Sequence, residues 1–178
     1  VSSRGMWRAV AHAHAHCGEA GMALLALDLG TKCGFALLLD GRVQSGVNEF
    51  RPGRHEGAGM QFVKFRGWLA SMHGATALGL VTYEEVRRHL GTDAAHSYGG
   101  FWATLTAFCQ EHRIPFVGVP VATIKRHATG KGNASKQQMI SAVQHLGWSD
   151  KIDLSDDEAD ALALLHYARA ELVPRVTL

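Results

Sequence analysis

The stretch Leu24 to Gly34, LLALDLGTKCG, constrains this chain more than any other. Leu24, Leu25, Ala26 and Leu27 make an apolar run of strand length, and the Gly and Thr that follow Asp28 turn a chain rather than continue a strand. The segment therefore reads as a buried strand that ends in a carboxylate and a tight turn. A charge at the end of a core strand is costly unless it is paired, reaches water or holds a cation. An aspartate bonded to its own turn is the simpler explanation, so the remaining carboxylates decide the matter.

Other strand-length runs repeat the theme. Phe35 to Leu39 is a second apolar strand, and Asp40-Gly41 is a hairpin signal leading into Arg42 to Phe50, so three antiparallel strands open the domain. After a loop around Pro52, Gly53 and Gly57, the residues Phe62, Phe65, Leu69 and Met72 recur at helical spacing, and their aromatics read as core. Leu78 to Tyr83 is a fourth strand that also ends in acid, at Glu84-Glu85. Neighbours on a strand face opposite ways, so only one of these two joins Asp28. A polar loop through His96 precedes a helix with Phe101, Leu105, Phe108 and Cys109 inward, and Pro115 to Val119 is the fifth strand. The order predicts an α/β fold, a mixed five-stranded sheet with helices on both faces.

The segment VATIKRHATGKGNASKQQM carries Lys125, Arg126, Lys131 and Lys136 around two glycines, an arrangement suited to phosphate, although its spacing is not that of a P-loop. It runs into a helix with Met139, Ile140, Val143 and Leu146 inward and Gly147 at its end. The last helix opens with Ser155-Asp156-Asp157-Glu158, an S-x-x-E capping box. Capping accounts for Ser155 and Glu158 but not for Asp160, which shares a helix face with Asp157. Ala161, Leu162, Leu164 and Leu165 turn this helix toward the core.

At 178 residues and 47% apolar content, the chain fits one domain with a real core. Residues 1–21 lack a sustained period and a signal-peptide apolar region, and are expected to be a disordered extension, with 22–178 forming the domain. His12, His14 and His16 in that extension are assigned no function. No apolar run is long enough to span a bilayer, so no membrane is expected. Three cysteines with no C-x-x-C pair speak against a disulfide framework and point to a reducing cytoplasmic compartment. Lys and Arg exceed Asp and Glu by only two, so net charge announces no partner, but the distribution does: acids crowd into Asp150 to Asp160 while bases lie between Arg87 and Lys136.

Asp28, Glu84, Asp157 and Asp160 would form a cluster that is unfavourable until a cation neutralises it. Hard oxygen ligands select Mg²⁺ or Mn²⁺, and a pair of such ions about 3.5–4 Å apart is a common device for cutting a phosphodiester. At these residues the chain resembles the RuvC family of Holliday-junction resolvases, with a ribonuclease-H-like fold. The likeness runs from about residue 22 to 172 through ALDLGTKCGFAL, VTYEEV, VPVATIKRHATGKGNASKQQM and DDEADALALLHYA, in the family's order. It implies that Asp28, Glu84, Asp157 and Asp160 are metal-binding catalytic carboxylates holding two Mg²⁺ ions, with Mn²⁺ able to substitute. It also implies that Lys125 and Lys136 contact the DNA backbone or the transition state, and that the protein is a homodimer nicking a four-way junction symmetrically during recombination and repair. Arg126, Lys131 and Arg87 complete the expected nucleic-acid contacts.

Two departures stand out. Resolvases commonly follow the first Asp with Pro-Gly, whereas Leu29-Gly30-Thr31 is closer to a related RNA-processing family and to sugar kinases. Where bacterial resolvases often carry a junction-stacking aromatic, this chain has Arg87, as a phage-type or divergent branch would. A nuclease for RNA or other branched DNA is therefore one alternative. An actin-like or sugar-kinase-type ATP-binding protein is another, set against the short chain and the Asp157/Asp160 pair. A non-catalytic DNA-structure binder is the third, set against the full set of four carboxylates.

Overall fold

A computed structural model describes residues 23–86 and 91–173. The expected extension at 1–21 and Arg87 lie outside the described residues. Five strands form one sheet in the order β3-β2-β1-β4-β5: β1 (Ala23–Asp28), β2 (Lys32–Leu39), β3 (Arg42–Glu49), β4 (Leu78–Glu85) and β5 (Phe116–Pro120). β1, β2 and β3 pair antiparallel, whereas β4 runs parallel to β1 and β5 parallel to β4. The helices are α1 (Met60–Thr76), α2 (Thr92–Glu111), α3 (Val121–Thr129), α4 (Lys136–His145) and α5 (Asp156–Glu171).

The central position of β1 explains its uninterrupted apolar run, because it must be dry on both faces. Leu24 and Ala26 face one core with Leu80, Ile124, Met139, Val143 and the Ala161–Leu165 stretch of α5. Leu25 and Leu27 face the other, with Phe65 and Leu69 of α1 and Phe101, Leu105 and Phe108 of α2. Helices thus cover both faces, as the element order predicts. Each fully buried Leu or Phe contributes about 1.5–3 kcal/mol, and on the α1/α2 side the aromatics meet edge-on, Phe65 and Phe101 with ring centres 5.2 Å apart.

Asp40 (φ 48°) and Gly41 (φ 76°) are both left-handed, which makes the β2–β3 connection the two-residue turn whose twist suits a hairpin. That hairpin extends β2 beyond the expected start at Phe35. Pairing runs from Leu39↔Arg42 to Lys32↔Glu49, so ladder bonds carry the strand through the polar residues near the β1 turn.

Two expectations are corrected, and one helix is added. The polar stretch through His96 is not a loop, because α2 starts at Thr92; Ala94 and Ala95 favour helix, and its first residues are exposed, so no apolar stripe announces them. The basic segment after β5 begins as α3, closed by Gly130 (φ 75°), whose N–H donates to Arg126 O at 2.9 Å. Leu146, expected inward, is 45% exposed, because α4 ends before it reaches the core face.

Candidate active site

The register of β1 and β4 builds the site. Leu27 pairs with Tyr83, so Asp28 stands beside Glu84 at the same end of the sheet. Leu24, Ala26 and Leu80 face α5, and alternation places Asp28 and Glu84 on that face too. Glu85 points to the other.

The third wall comes from the start of α5. Asp28 pairs with Gly34 across β2, and a Cβ on Gly34 would collide with the backbone carbonyl of Asp157. The first turn of the helix therefore rests directly on β2, next to Asp28, and only a glycine admits it. Asp157 and, one turn on, Asp160 are carried to the same place. A glycine inside a strand pattern is the sequence signal that marks such an approach, and Gly34 was not recognised by sequence reasoning.

The helix start is held differently from the expected capping box. Ser155 Oγ accepts from Glu158 N–H at 3.2 Å, which is half of the box. The Glu158 side chain is instead buried, accepting from Ser45 Oγ at 2.6 Å and pairing with Lys151 Nζ at 2.5 Å, while Lys151 Nζ also donates to Ser45 O at 3.1 Å. An edge strand and the α4–α5 connection are thus tied to the site helix. A complete capping box forms elsewhere, at Ser135 and Gln138 before α4.

Electrostatics records the convergence. The Asp28 carboxyl is held well above its ordinary range, first by burial and then by Glu84, Asp160 and Asp157. Burial and then Asp160 push Glu84 up to about 7 against the pull of Lys125. Asp160 rises to about 6, chiefly through burial, with Lys125 opposing. Asp157 is raised by burial and by Asp156, with Lys136 and Lys32 opposing. Lys32, at the start of β2, is a basic neighbour of the site that sequence reasoning missed.

The expected nucleic-acid residues occupy distinct places. Lys125, on α3, is half-buried, faces Glu84 and Asp160 and donates to Ala134 O at 2.8 Å. Lys136 is exposed at the start of α4 and paired with Asp156. Arg126 is exposed beside Gly132, and Lys131 lines an open cleft with Gln137, Gln138, Ser141 and His145.

Among the described residues no three His, Cys, Asp or Glu side chains form a ready-made metal cage. The donor chemistry nevertheless suits a hard divalent cation: the carboxylates are partly desolvated, repel one another and are only partly offset by lysine, so a cation would relieve what burial and repulsion impose.

No family model and no curated protein sequence matches the chain. Solved structures do. T. thermophilus RuvC in complex with Holliday junction substrate is 18% identical, with 84% of this chain and 96% of that one covered and a TM-score of 0.70. The T. thermophilus RuvC structure is 18% identical over the same shares, with a TM-score of 0.67. The yeast mitochondrial Holliday junction resolvase Ydc2 is 12% identical, covering 99% of this chain and 88% of that one, with a TM-score of 0.59. The fold is RuvC-like and thus ribonuclease-H-like.

Proposed function

We propose that this chain is a divalent-metal-dependent endonuclease of the resolvase type, with a DNA four-way junction as its substrate. The observation that carries the reading is that four carboxylates from three elements stand at one end of one sheet face, with raised proton affinities and only partial compensation by lysine. The RuvC-like fold supports it, as does the junction bound to one of the similar structures. Asp28, Glu84, Asp157 and Asp160 would hold two Mg²⁺ or Mn²⁺ ions. When bound, such ions supply charge stabilisation at the phosphoryl oxygens and a nucleophile at neutral pH.

The chain's own residues prepare that chemistry. Gly34 lets α5 close on β2, so Asp157 and Asp160 are positioned by backbone packing. Lys125, anchored on Ala134 O, partly offsets the charge of Glu84 and Asp160. Lys136 exchanges Asp156 for a DNA phosphate, and Arg126 and Lys131 extend the basic track. Water attacks phosphorus, one ester P–O bond breaks, and the strand leaves as a hydroxyl end and a phosphate end. A homodimer matches the two-fold symmetry of a junction and places one site on each of two strands.

The test offers a labelled four-way junction, the matching duplex, a flap and an RNA hairpin, each with Mg²⁺, Mn²⁺ or EDTA, and runs Asp28→Asn beside the native chain. Paired symmetric nicks in the junction alone, lost with EDTA and with Asp28→Asn, are expected. Cleavage confined to RNA or to flaps would reassign the substrate. Junction binding without any cleavage would reduce the protein to a DNA-structure binder.

A further inference from the structure

Tyr98 lies on α2, on the face of the sheet opposite the carboxylates. Its phenol donates to Glu84 O at 2.9 Å and accepts from Val86 N–H at 3.2 Å. One hydroxyl therefore grips the backbone on both sides of Glu85, where β4 stops. The ladder gives out at the same place: β1 ends at Asp28, and the β5 residue facing Glu85 is Pro120, which has no N–H. One turn further along α2, Trp102 Nε1–H donates to Tyr83 OH at 3.0 Å. Room for the Tyr83 ring exists because its β5 neighbour is Gly118, where a Cβ would stand 2.9 Å from it.

The division of labour is specific. Side chains at Tyr83 and Glu84 point to opposite faces, so α2 holds the strand end from behind and leaves the Glu84 carboxylate to the α5 face. We propose that Tyr98 is a positioning residue for Glu84, its hydroxyl fixing the backbone from Glu84 to Val86 and so the place where that carboxylate meets a divalent cation. The proposal rests on the metal-nuclease reading of the site. Displacement of a reacting group by about 1 Å costs on the order of 10²-fold in rate, and partners that orient a ligand typically account for about 10–100-fold in metal affinity or activity.

Tyr98→Phe removes the hydrogen bonds to Glu84 O and Val86 N–H and keeps the ring. Amide hydrogen exchange on the metal-free protein is the local readout: Val86 N–H should exchange at least about 10-fold faster while Val81 N–H, in the middle of β4, stays within about two-fold. Mn²⁺ titration without DNA should show a midpoint raised about 10-fold, and junction cleavage should lose about 10–100-fold in kcat with KM within about two-fold. Trp102→Phe, which removes the neighbouring bond to Tyr83 and leaves Glu84 to Val86 alone, should keep the native Mn²⁺ midpoint. Equal acceleration at Val81 and Val86, an unchanged Mn²⁺ midpoint in Tyr98→Phe, or an equal loss in Trp102→Phe would overturn the proposal, since each assigns the effect to general packing of α2. A native chain that binds Mn²⁺ but cuts no junction removes the nuclease reading, while the exchange and Mn²⁺ comparisons still decide on Tyr98.

Discussion

Replacing Gly34 by Ala adds one methyl group and tests how the site is assembled. An added Cβ would stand 1.9 Å from Asp157 O, 2.4 Å from Asp157 C and 3.1 Å from Glu158 N. All three are main-chain atoms, so no flexible side chain can swing away. Ordinary contact begins near 3.4 Å, so the first turn of α5 must retreat by about 1.5 Å or β2 must yield. Insertion of a methyl into a close-packed contact costs about 1–3 kcal/mol. A domain with about 5–15 kcal/mol of stability survives this, so the variant should fold with a lower urea midpoint. The same retreat carries Asp157 away from Asp28, and a shift of that size should cost about 10²-fold or more in cleavage. Gly67→Ala on α1, where a Cβ meets nothing within 4 Å, is the matched control. It should raise stability by about 0.5–1 kcal/mol through helix propensity and leave cleavage alone. Urea melts of the metal-free proteins and single-turnover cleavage of a junction provide the two readings. A Gly34→Ala protein with native stability and native rate would refute the claim that direct backbone contact sets the place of Asp157.

Other perturbations address the charges. Because Asp28, Glu84 and Asp160 have raised proton affinities when folded, their protonation favours folding at acid pH, and that contribution is lost as pH rises through about 6 for Asp160 and about 7 for Glu84. Metal-free urea midpoints should therefore carry a component that falls between about pH 4 and pH 7, and Asp28→Asn should flatten it, leave the metal-free fold at least as stable at neutral pH, and lower cleavage by orders of magnitude. A destabilised Asp28→Asn that cuts normally would make Asp28 a turn residue. Thr82 is fully buried on β4 and its Oγ1 has no hydrogen-bond partner among the described residues, so Thr82→Val should be neutral or stabilising by up to about 1 kcal/mol in the same melts. Lys136→Ala loses an exposed pair with Asp156, so stability should change by less than about 1 kcal/mol. The salt dependence of junction binding should drop by about one phosphate contact, and an unchanged salt slope would remove Lys136 from the DNA track.

Local pattern carried the sheet. The apolar runs of β1 and β4, the Asp40-Gly41 turn and the stripes of α1 and α5 are each legible within a short window, and so are the acids at the two strand ends. The nine-residue α3 was not: Val121, Ile124 and Ala128 do stand at helical spacing, but the window is short and the basic run Lys125, Arg126 and His127 ahead of Gly130 reads as a phosphate-binding loop. Glu158 misled for another reason. Its place after Ser155 fits a cap, and nothing nearby reveals that its partner Ser45 lies 113 residues away. The Tyr98 clamp is equally silent, since a phenol bonded to main-chain atoms leaves no pattern of residue types at the other end. Contacts that depend on two distant backbones meeting are visible only once the fold exists.

The Asp40-Gly41 hairpin has a practical consequence. Its turn lies next to Leu38, which pairs with Leu24 at the start of β1, whereas Asp28 and Gly34 meet at the other end. Six residues of strand put roughly 17 Å between the two ends. A fluorophore attached at this exposed turn would sit remote from the carboxylates, with Gly41 kept as glycine because its φ of 76° strains any other side chain even in open space. That makes the hairpin tip a natural handle for surface immobilisation, leaving the opposite rim of the sheet, where the carboxylates stand, unobstructed.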